Sequence, residues 1–280
     1  MKAPGSEWLF VKLYCPETFQ EDVLAYPIRT FAPEALAAGW AEEWFFVRYH
    51  DPDLHIRLRF RGERERITGQ LLPQLCAWAA KLMDESYCTR FCLDTYEREL
   101  ERYGGPAGMA LAESLFAIDS QTISDILYLT KERAFQMDKI ALAVLSIDQS
   151  LAHFGLDEAA RLQWLRQYVT SRNEVEVGQA YRQHKALLRS LLGQAHTLLD
   201  GLGSQQLMQV FERQQEALAP ITARLRELAE QGILSVSLDA LYSSYVHMHC
   251  NRLLGTDRVA ERKVMGLLLR TREGLERCGL

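Results

Sequence analysis

The sequence predicts an α+β fold, with a small mixed or antiparallel sheet in the N-terminal third followed by a helical majority. Two observations support this prediction. Residues 1–105 contain short aromatic and β-branched segments typical of strands, whereas residues 106–280 contain long segments with helical periodicity. We expect a single domain over 1–280, with a strand-rich part over 1–105 and a helical part over 106–280.

The strand-rich part is predicted from residue type and turn signals. The predicted strands cover 8–15, 44–49, 54–61 and 89–94. The sequence Asp51-Pro52-Asp53 favours a turn, so the second and third strands should form a hairpin. Between the strands, the pattern predicts a short helix at 19–25, a loop at 33–39 and an amphipathic helix at 67–83.

The helical part should begin near Pro106, which fits the first turn of a helix. Apolar periodicity predicts helices at 107–129, 131–153, 157–171, 173–200, 204–231, 237–254 and 257–277. Gly155, Gly232 and Gly255 indicate helix ends. Pro220 predicts a break or kink inside the helix at 204–231, because proline removes a backbone hydrogen bond.

Composition narrows the classes of ligand and location. The 280 residues are 48% hydrophobic and 25% charged, with a net charge of −5 at pH 7. This acidic balance argues against nucleic-acid binding as the main task, since phosphate contacts need a basic surface. The sequence shows neither a membrane-length apolar run nor a signal-peptide core, so we expect a cytoplasmic protein with no membrane partner. Six scattered cysteines suggest neither a disulfide framework nor a zinc site.

The predicted strand at 54–61 carries an unusual row of basic residues. The side chains that should share one face are His55, Arg57, Arg59 and Arg61, with apolar residues at the intervening positions. Two explanations stay open from this pattern. Basic residues protect an edge strand from pairing with another chain, and they also bind anions such as carboxylates.

A second polar face is predicted on the helix at 237–254. His247 and Asn251 are one turn apart on a face of small residues, away from the apolar stripe of the same helix. This pattern indicates either the wall of a cleft or a partly exposed helix with an incidental histidine.

Three motifs follow one another along the chain. They are Tyr49-His-Asp-Pro-Asp-Leu-His-Ile-Arg-Leu-Arg59, Tyr96-Glu-Arg-Glu-Leu-Glu-Arg-Tyr-Gly-Gly105 and His247-Met-His-Cys-Asn-Arg-Leu-Leu-Gly255. Together they resemble the elimination domain of class I lantibiotic dehydratases, over essentially the whole chain. The resemblance implies a reaction in which glutamate is removed from glutamylated serine or threonine of a precursor peptide, leaving dehydroalanine or dehydrobutyrine.

Carried onto this sequence, the resemblance implies a set of site residues. The catalytic set is Arg57, Arg59, Arg98 and His247. The substrate-binding set is His55, Tyr96, Arg102 and Asn251. Because Arg102 lies in the same motif as Arg98, either of these two arginines could be the third arginine of the site.

The chemistry of the implied reaction explains these residue types. Removal of a Cα proton places negative charge on the neighbouring amide oxygen, which preorganised cations stabilise. The planar guanidinium of arginine also binds carboxylates through two hydrogen bonds, and glutamate carries carboxylates. His247 suits proton transfer, and the sequence leaves open whether it acts as base or as acid.

The resemblance also implies partners, and it leaves alternatives. The expected partners are the glutamylated precursor peptide and a separate glutamylation subunit, which would bind the tRNA in place of this chain; a homodimer stays open. No cofactor and no metal are expected. One alternative is a thiopeptide pyridine synthase, which joins two dehydroalanines in a formal cycloaddition and releases the leader peptide. Another is a non-catalytic subunit that binds a precursor peptide by strand addition. The presence of all four catalytic candidates favours elimination.

Overall fold

The computed structural model describes residues 1–169, 174–193 and 205–278. The chain divides into two compact units, Met1–Glu132 and Arg133–Leu280, and each is described by itself. The first unit holds a small antiparallel sheet and the second unit is built from helices, which confirms the predicted α+β class. The first unit extends past the strand-rich part, because a long helix after residue 105 packs with the sheet.

A four-stranded sheet forms the centre of the first unit. Its strands are β1 (Trp8–Tyr14), β2 (Glu43–His50), β3 (Leu54–Arg61) and β4 (Arg90–Leu93), in the order β2-β3-β1-β4. All pairings are antiparallel, and β2 and β3 form the predicted hairpin. Because β3 pairs with both β1 and β2, it is an interior strand, so the basic row does not protect an exposed edge.

Five α-helices accompany the sheet in the first unit, and the last of them packs against β2. They are α1 (Glu17–Val23), α2 (Arg29–Ala37), α3 (Arg64–Arg66), α4 (Leu72–Asp84) and α5 (Gly105–Lys131). Short π-helical turns at Leu24–Ile28 and Ile67–Leu71 join α1 to α2 and α3 to α4. On α5, the Ser120 hydroxyl accepts a hydrogen bond from the Phe46 backbone N–H at 3.0 Å, which satisfies a donor of the edge strand β2.

The loop predicted at 33–39 is wrong, because most of this segment belongs to α2. Pro33 lies inside the helix. The lost hydrogen bond is offset by burial, since Phe31 of α2 stacks on Trp78 with ring centroids 4.6 Å apart and meets Phe60 of β3 edge-on at 6.0 Å. This packing covers the apolar face of β3, where Ile56 and Leu58 are also fully buried.

The described helices of the second unit agree with most of the predicted segments. They are α6 (Lys139–His153), α7 (Glu158–Tyr168), α8 (Glu174–Gly193), α9 (Gln205–Glu230), α10 (Leu238–Leu254) and α11 (Arg258–Glu276). Parts of the predicted helices, at 170–171, 173, 194–200 and 204, lie outside the described residues. None of the described helices combines the length and the apolar character that crossing a membrane requires.

One predicted helix start in the second unit differs from the structure, and one predicted helix break is absent from the described residues. The helix predicted from 131 begins only at Lys139, because the Asp138 side chain caps it by accepting hydrogen bonds from two backbone N–H groups. Helix α9 continues through Pro220, so the helix does not break there; buried Leu218 and Leu225 hold it on both sides of the proline. The glycine stops after α6, α9 and α10 are confirmed by positive φ angles of 85°, 67° and 89°.

Candidate functional site

The basic residues of β3 lie on one face of the sheet, together with residues of the neighbouring strands. Arg57 is opposite Lys12 of β1, and Arg59 is opposite Phe10 of β1 and Phe45 of β2. Part of this face is shielded from water, because His55 is fully buried and Arg59 is only 8% exposed. Cations at this depth need specific partners to offset the loss of hydration.

Arg59 lies against three aromatic rings. Its guanidinium carbon is 4.5 Å from the ring centroids of Phe10 and Tyr96, and 5.3 Å from that of Phe45. The negative faces of aromatic rings attract a cation, and the attraction strengthens when water is excluded. The aromatic cluster therefore stabilises the positive charge of Arg59 and fixes its position.

Arg98 and Tyr96 share one buried carboxylate, that of Glu113 on α5. Arg98 donates from Nε to Oε1 at 2.8 Å and from Nη2 to Oε2 at 2.5 Å, while the Tyr96 hydroxyl donates to Oε1 at 2.9 Å. Glu113 is 4% exposed. Burial raises the pKa of Tyr96, and the charge of Glu113 raises it further, so the hydroxyl stays protonated as a donor. Tyr96 thus links Arg98 to Arg59.

Arg57 is held by neutral groups. Its Nε donates to His55 Nε2 at 3.1 Å, and its guanidinium carbon lies 3.3 Å from the ring centroid of Tyr49. Because Nε2 of His55 accepts this bond, Nδ1 carries the proton and donates to the Asp53 carbonyl at 2.8 Å. Burial is the main cause that lowers the pKa of His55; the Asp53 bond opposes it and the charge of Arg57 adds to it. Among the described residues, no carboxylate lies within ion-pair distance of Arg57.

Two further arginines, one from the basic row of β3 and one from the second motif, have surface partners. Arg61 pairs with Glu43 at 3.0 Å and with Glu42 at 3.5 Å. Arg102 pairs with Glu99 at 3.0 Å. The Arg102 side chain is 35% exposed and that of Glu99 is 59% exposed. The structure therefore brings Arg98, and not Arg102, to the tyrosine that contacts Arg59, although the catalytic assignment of Arg98 stays a prediction.

His247 lies in the second unit, on α10. Its Nδ1 is 2.9 Å and 3.1 Å from the two carboxylate oxygens of Glu261 on α11. Glu261 is buried, and it also accepts from the Tyr168 hydroxyl at 3.2 Å and from Arg258 Nη1 at 3.1 Å. Burial alone would raise the pKa of Glu261, but the bonds and charges of His247 and Arg258 outweigh burial and lower it. Asn251 follows one turn later and is half-buried.

Sequence reasoning missed both carboxylates, although each left a weak signal. Glu113 is an acidic residue one turn from apolar Met109 and Phe116, among the buried residues of α5. Glu261 falls in the first turn of α11, shortly after its Asp257 cap. Across the described ranges 1–169, 174–193 and 205–278, no group of three or more His, Cys, Asp or Glu side chains is arranged to hold a metal ion.

Comparisons with known proteins agree over most of the chain. The family described as lantibiotic biosynthesis dehydratase C-term matches residues 8–272. The subtilin biosynthesis protein SpaB of Bacillus subtilis is 30% identical over 95% of this chain, and the nisin biosynthesis protein NisB of Lactococcus lactis is 26% identical over 96%. The chain spans only 25% and 26% of the length of these two relatives.

Solved structures show the same fold. The tRNA-dependent lantibiotic dehydratase MibB from Microbispora sp. 107891 is similar with a TM-score of 0.87 and 27% identity, over 99% of this chain and 29% of that one. The pyridine synthase TbtD from thiomuracin biosynthesis is similar with a TM-score of 0.71, over 98% of this chain and 100% of that one. Its identity of 15% shows a shared fold alone.

Proposed function

The chain belongs to the family of lantibiotic biosynthesis dehydratase C-terminal domains, and from this premise we propose that it eliminates glutamate from glutamylated serine or threonine of a ribosomally made precursor peptide. The activity is that of a lyase, and the products are glutamate and dehydroalanine or dehydrobutyrine. The observation that supports the proposal most is the set of preorganised arginines Arg57, Arg59 and Arg98 in the first unit.

The reaction needs both a base and stabilised negative charge. A base removes the Cα proton, the electron pair forms the Cα=Cβ double bond, the Cβ–O bond breaks and glutamate leaves as a carboxylate. The Cα proton is weakly acidic, so negative charge develops on the neighbouring amide oxygen in the transition state. Cations that are already fixed and dehydrated lower the free energy of that state, since no reorganisation is needed when the charge appears.

The partners of the three arginines suggest different tasks. Arg98 is neutralised by Glu113, and Arg59 is stabilised by aromatic rings. Arg57 has neutral partners: His55 at its Nε and the Tyr49 ring against one face of its guanidinium. Its Nη atoms make no hydrogen bond to any described residue, so they can receive a ligand. We assign Arg57 to the free carboxylate of the glutamyl group, because a guanidinium edge binds a carboxylate through two parallel hydrogen bonds. Arg59 and Arg98 are assigned to the charge that develops during elimination.

Partners complete the proposal. A separate subunit would glutamylate the peptide and bind the tRNA, while this chain would receive the glutamylated peptide. The structural relative MibB is described as tRNA-dependent. The net charge of −5 suits a chain that leaves the tRNA to its partner. His247 is assigned to proton transfer.

The proposal is tested with a precursor peptide that carries a preformed glutamyl ester on serine. The purified chain is incubated with this peptide without tRNA or partner, and mass spectrometry follows loss of glutamate and formation of dehydroalanine. Arg57→Ala and His247→Ala should abolish or strongly slow the conversion. Arg61→Ala is the matched control, because Arg61 lies on the same face of the same strand but pairs with Glu43. An unchanged ester with the wild-type chain would contradict the proposal.

The shared fold with the pyridine synthase supports a second candidate, cycloaddition of two dehydroalanines with release of the leader peptide. The same preparation is offered a peptide that already contains two dehydroalanines. Ring formation together with an unchanged glutamyl ester would favour this function. Tight binding of either peptide without turnover would favour a non-catalytic peptide-binding subunit.

A further inference from the structure

We infer that Glu261 is a positioning residue that sets the tautomer of His247, so that Nε2 is the atom that takes the Cα proton. The inference rests on the proposed function for its reaction and goes further by assigning a role to a residue outside the three motifs. The geometry that supports it lies wholly within the second unit.

Glu261 is fixed at the start of α11. The Asp257 side chain caps this helix by accepting from the backbone N–H groups of Val259 and Ala260 at 2.8 Å and 3.1 Å. The carboxylate of Glu261 is buried, and the Tyr168 hydroxyl of α7 donates to its Oε1. Burial raises the pKa of Tyr168, and the Glu261 charge adds to this effect, so Tyr168 is a donor and not a second anion. The carboxylate therefore has a defined place before it meets the histidine.

The contact with His247 selects one tautomer. Both oxygens of Glu261 lie at hydrogen-bond distance from Nδ1, at 2.9 Å and 3.1 Å. An unprotonated Nδ1 would set its lone pair against a buried anion, whereas an Nδ1–H group donates to it. Neutral His247 consequently carries its proton on Nδ1 and a lone pair on Nε2. No hydrogen bond engages Nε2 within the described part of the second unit.

Arg258 favours the other tautomer of His247, in which Nδ1 is unprotonated. Its Nη1 lies 2.5 Å from Nδ1 and 3.1 Å from Oε2 of Glu261. A guanidinium that donated to Nδ1 would place the imidazole proton on Nε2 instead. The Arg258 side chain is 61% exposed, however, whereas that of Glu261 is 9% exposed and held by additional donors. The buried carboxylate should dominate, because water screens the exposed cation.

The assigned tautomer makes His247 the base of the elimination. Its Nε2 takes the Cα proton, the Cα=Cβ bond forms and the Cβ–O bond to glutamate breaks. The imidazolium that results is stabilised by the negative charge of Glu261 at Nδ1. The Nε2 proton then passes to solvent or to the released carboxylate, which returns the base to its starting form.

Glu261→Gln tests this role because it keeps the shape of the side chain and removes its charge. We expect kcat for elimination from the glutamylated peptide to fall by about 10- to 100-fold with little change in KM. We also expect the acidic limb of the pH–rate profile to move to lower pH, because the imidazolium loses its counter-charge. Glu273→Gln is the matched control, since Glu273 lies on the same helix and pairs only loosely with Arg166 at 3.8 Å.

A spectroscopic measurement on the wild-type chain keeps the test independent of the variant. Long-range proton–nitrogen NMR spectra, with the His247 signals assigned by their loss in His247→Ala, report which ring nitrogen is protonated. Nδ1 protonation in neutral wild-type His247 is expected. Nε2 protonation, or a Glu261→Gln variant with wild-type kcat and pH profile, would overturn the role of Glu261 in an active enzyme. A wild-type chain that leaves the ester intact would instead overturn the proposed function.

Discussion

Arg98→Met should destabilise the protein because it leaves the buried carboxylate of Glu113 without its positively charged partner. The change removes two charge-assisted hydrogen bonds, at 2.8 Å and 2.5 Å, so that within the described ranges Glu113 keeps only the bond from the Tyr96 hydroxyl. Removing one partner of a buried ion pair costs about 3–5 kcal/mol. The Arg98 side chain is 23% exposed and Tyr96 still donates, so we expect the lower end, about 3 kcal/mol.

The assay is urea unfolding followed by circular dichroism, applied to a double-mutant cycle. Glu113→Gln in the Arg98→Met background replaces the stranded charge by a neutral amide that still accepts from Tyr96. The double variant should therefore recover most of the loss, with a coupling energy of about 2 kcal/mol. Arg102→Met is the matched control; its exposed pair with Glu99 should contribute no more than about 0.5 kcal/mol.

The same cycle separates stability from function. The double variant should be folded and inactive in glutamate elimination, because it lacks the cation without carrying a stranded anion. An Arg98→Met variant as stable as the Arg102→Met control would refute the reasoning about Glu113. A double variant with wild-type turnover would refute the assignment of Arg98 to the reaction.

The surroundings of Arg59, His55 and His153 support three further predictions. Arg59→Ala should lower the free energy of unfolding by about 2–4 kcal/mol, because it opens a cavity among aromatic rings, whereas Arg59→Met should lose less; thermal unfolding compares the two. His55→Phe should raise KM for the glutamylated peptide about tenfold while keeping the fold, since Arg57 loses its Nε acceptor. Burial is the main cause that lowers the pKa of His153 from 6.5 to about 4, so its neutral form stabilises the fold above pH 6.5. This contribution, up to about 3 kcal/mol, should be lost as the pH falls towards 4, and urea midpoints should fall less in His153→Gln.

The sequence predicted the basic face of β3 because side chains alternate strictly along a strand. The sequence did not exclude that β3 is an exposed edge strand. Besides β2, β3 pairs with β1, and this pairing could not be predicted because β1 is distant in the sequence. Partners at long range also explain why Glu113 and Glu261 were missed. A carboxylate on one helix is matched to Arg98 or His247 only when tertiary packing brings the segments together, and periodicity within one segment carries no information about that packing.

The choice between Arg98 and Arg102 shows the same limit at shorter range. Both arginines belong to one motif, and their positions in the motif do not show which of them faces the site. The backbone between β4 and α5 is irregular, so helical or strand periodicity does not assign their directions. The structure separates them through their partners, because Arg98 meets buried Glu113 whereas Arg102 meets Glu99 near the surface.

A row of basic residues is stable in the interior of this sheet because each member has a different kind of partner. Arg61 meets carboxylates, Arg59 meets aromatic rings, and His55 is kept neutral by burial. The uncharged His55 also lets Arg57 bond to it without repulsion between two cations. Arg57 is then the member that has no carboxylate within ion-pair distance among the described residues. The carboxylate of a glutamyl group would supply the missing negative partner of Arg57. Binding of the substrate would therefore also stabilise the folded protein.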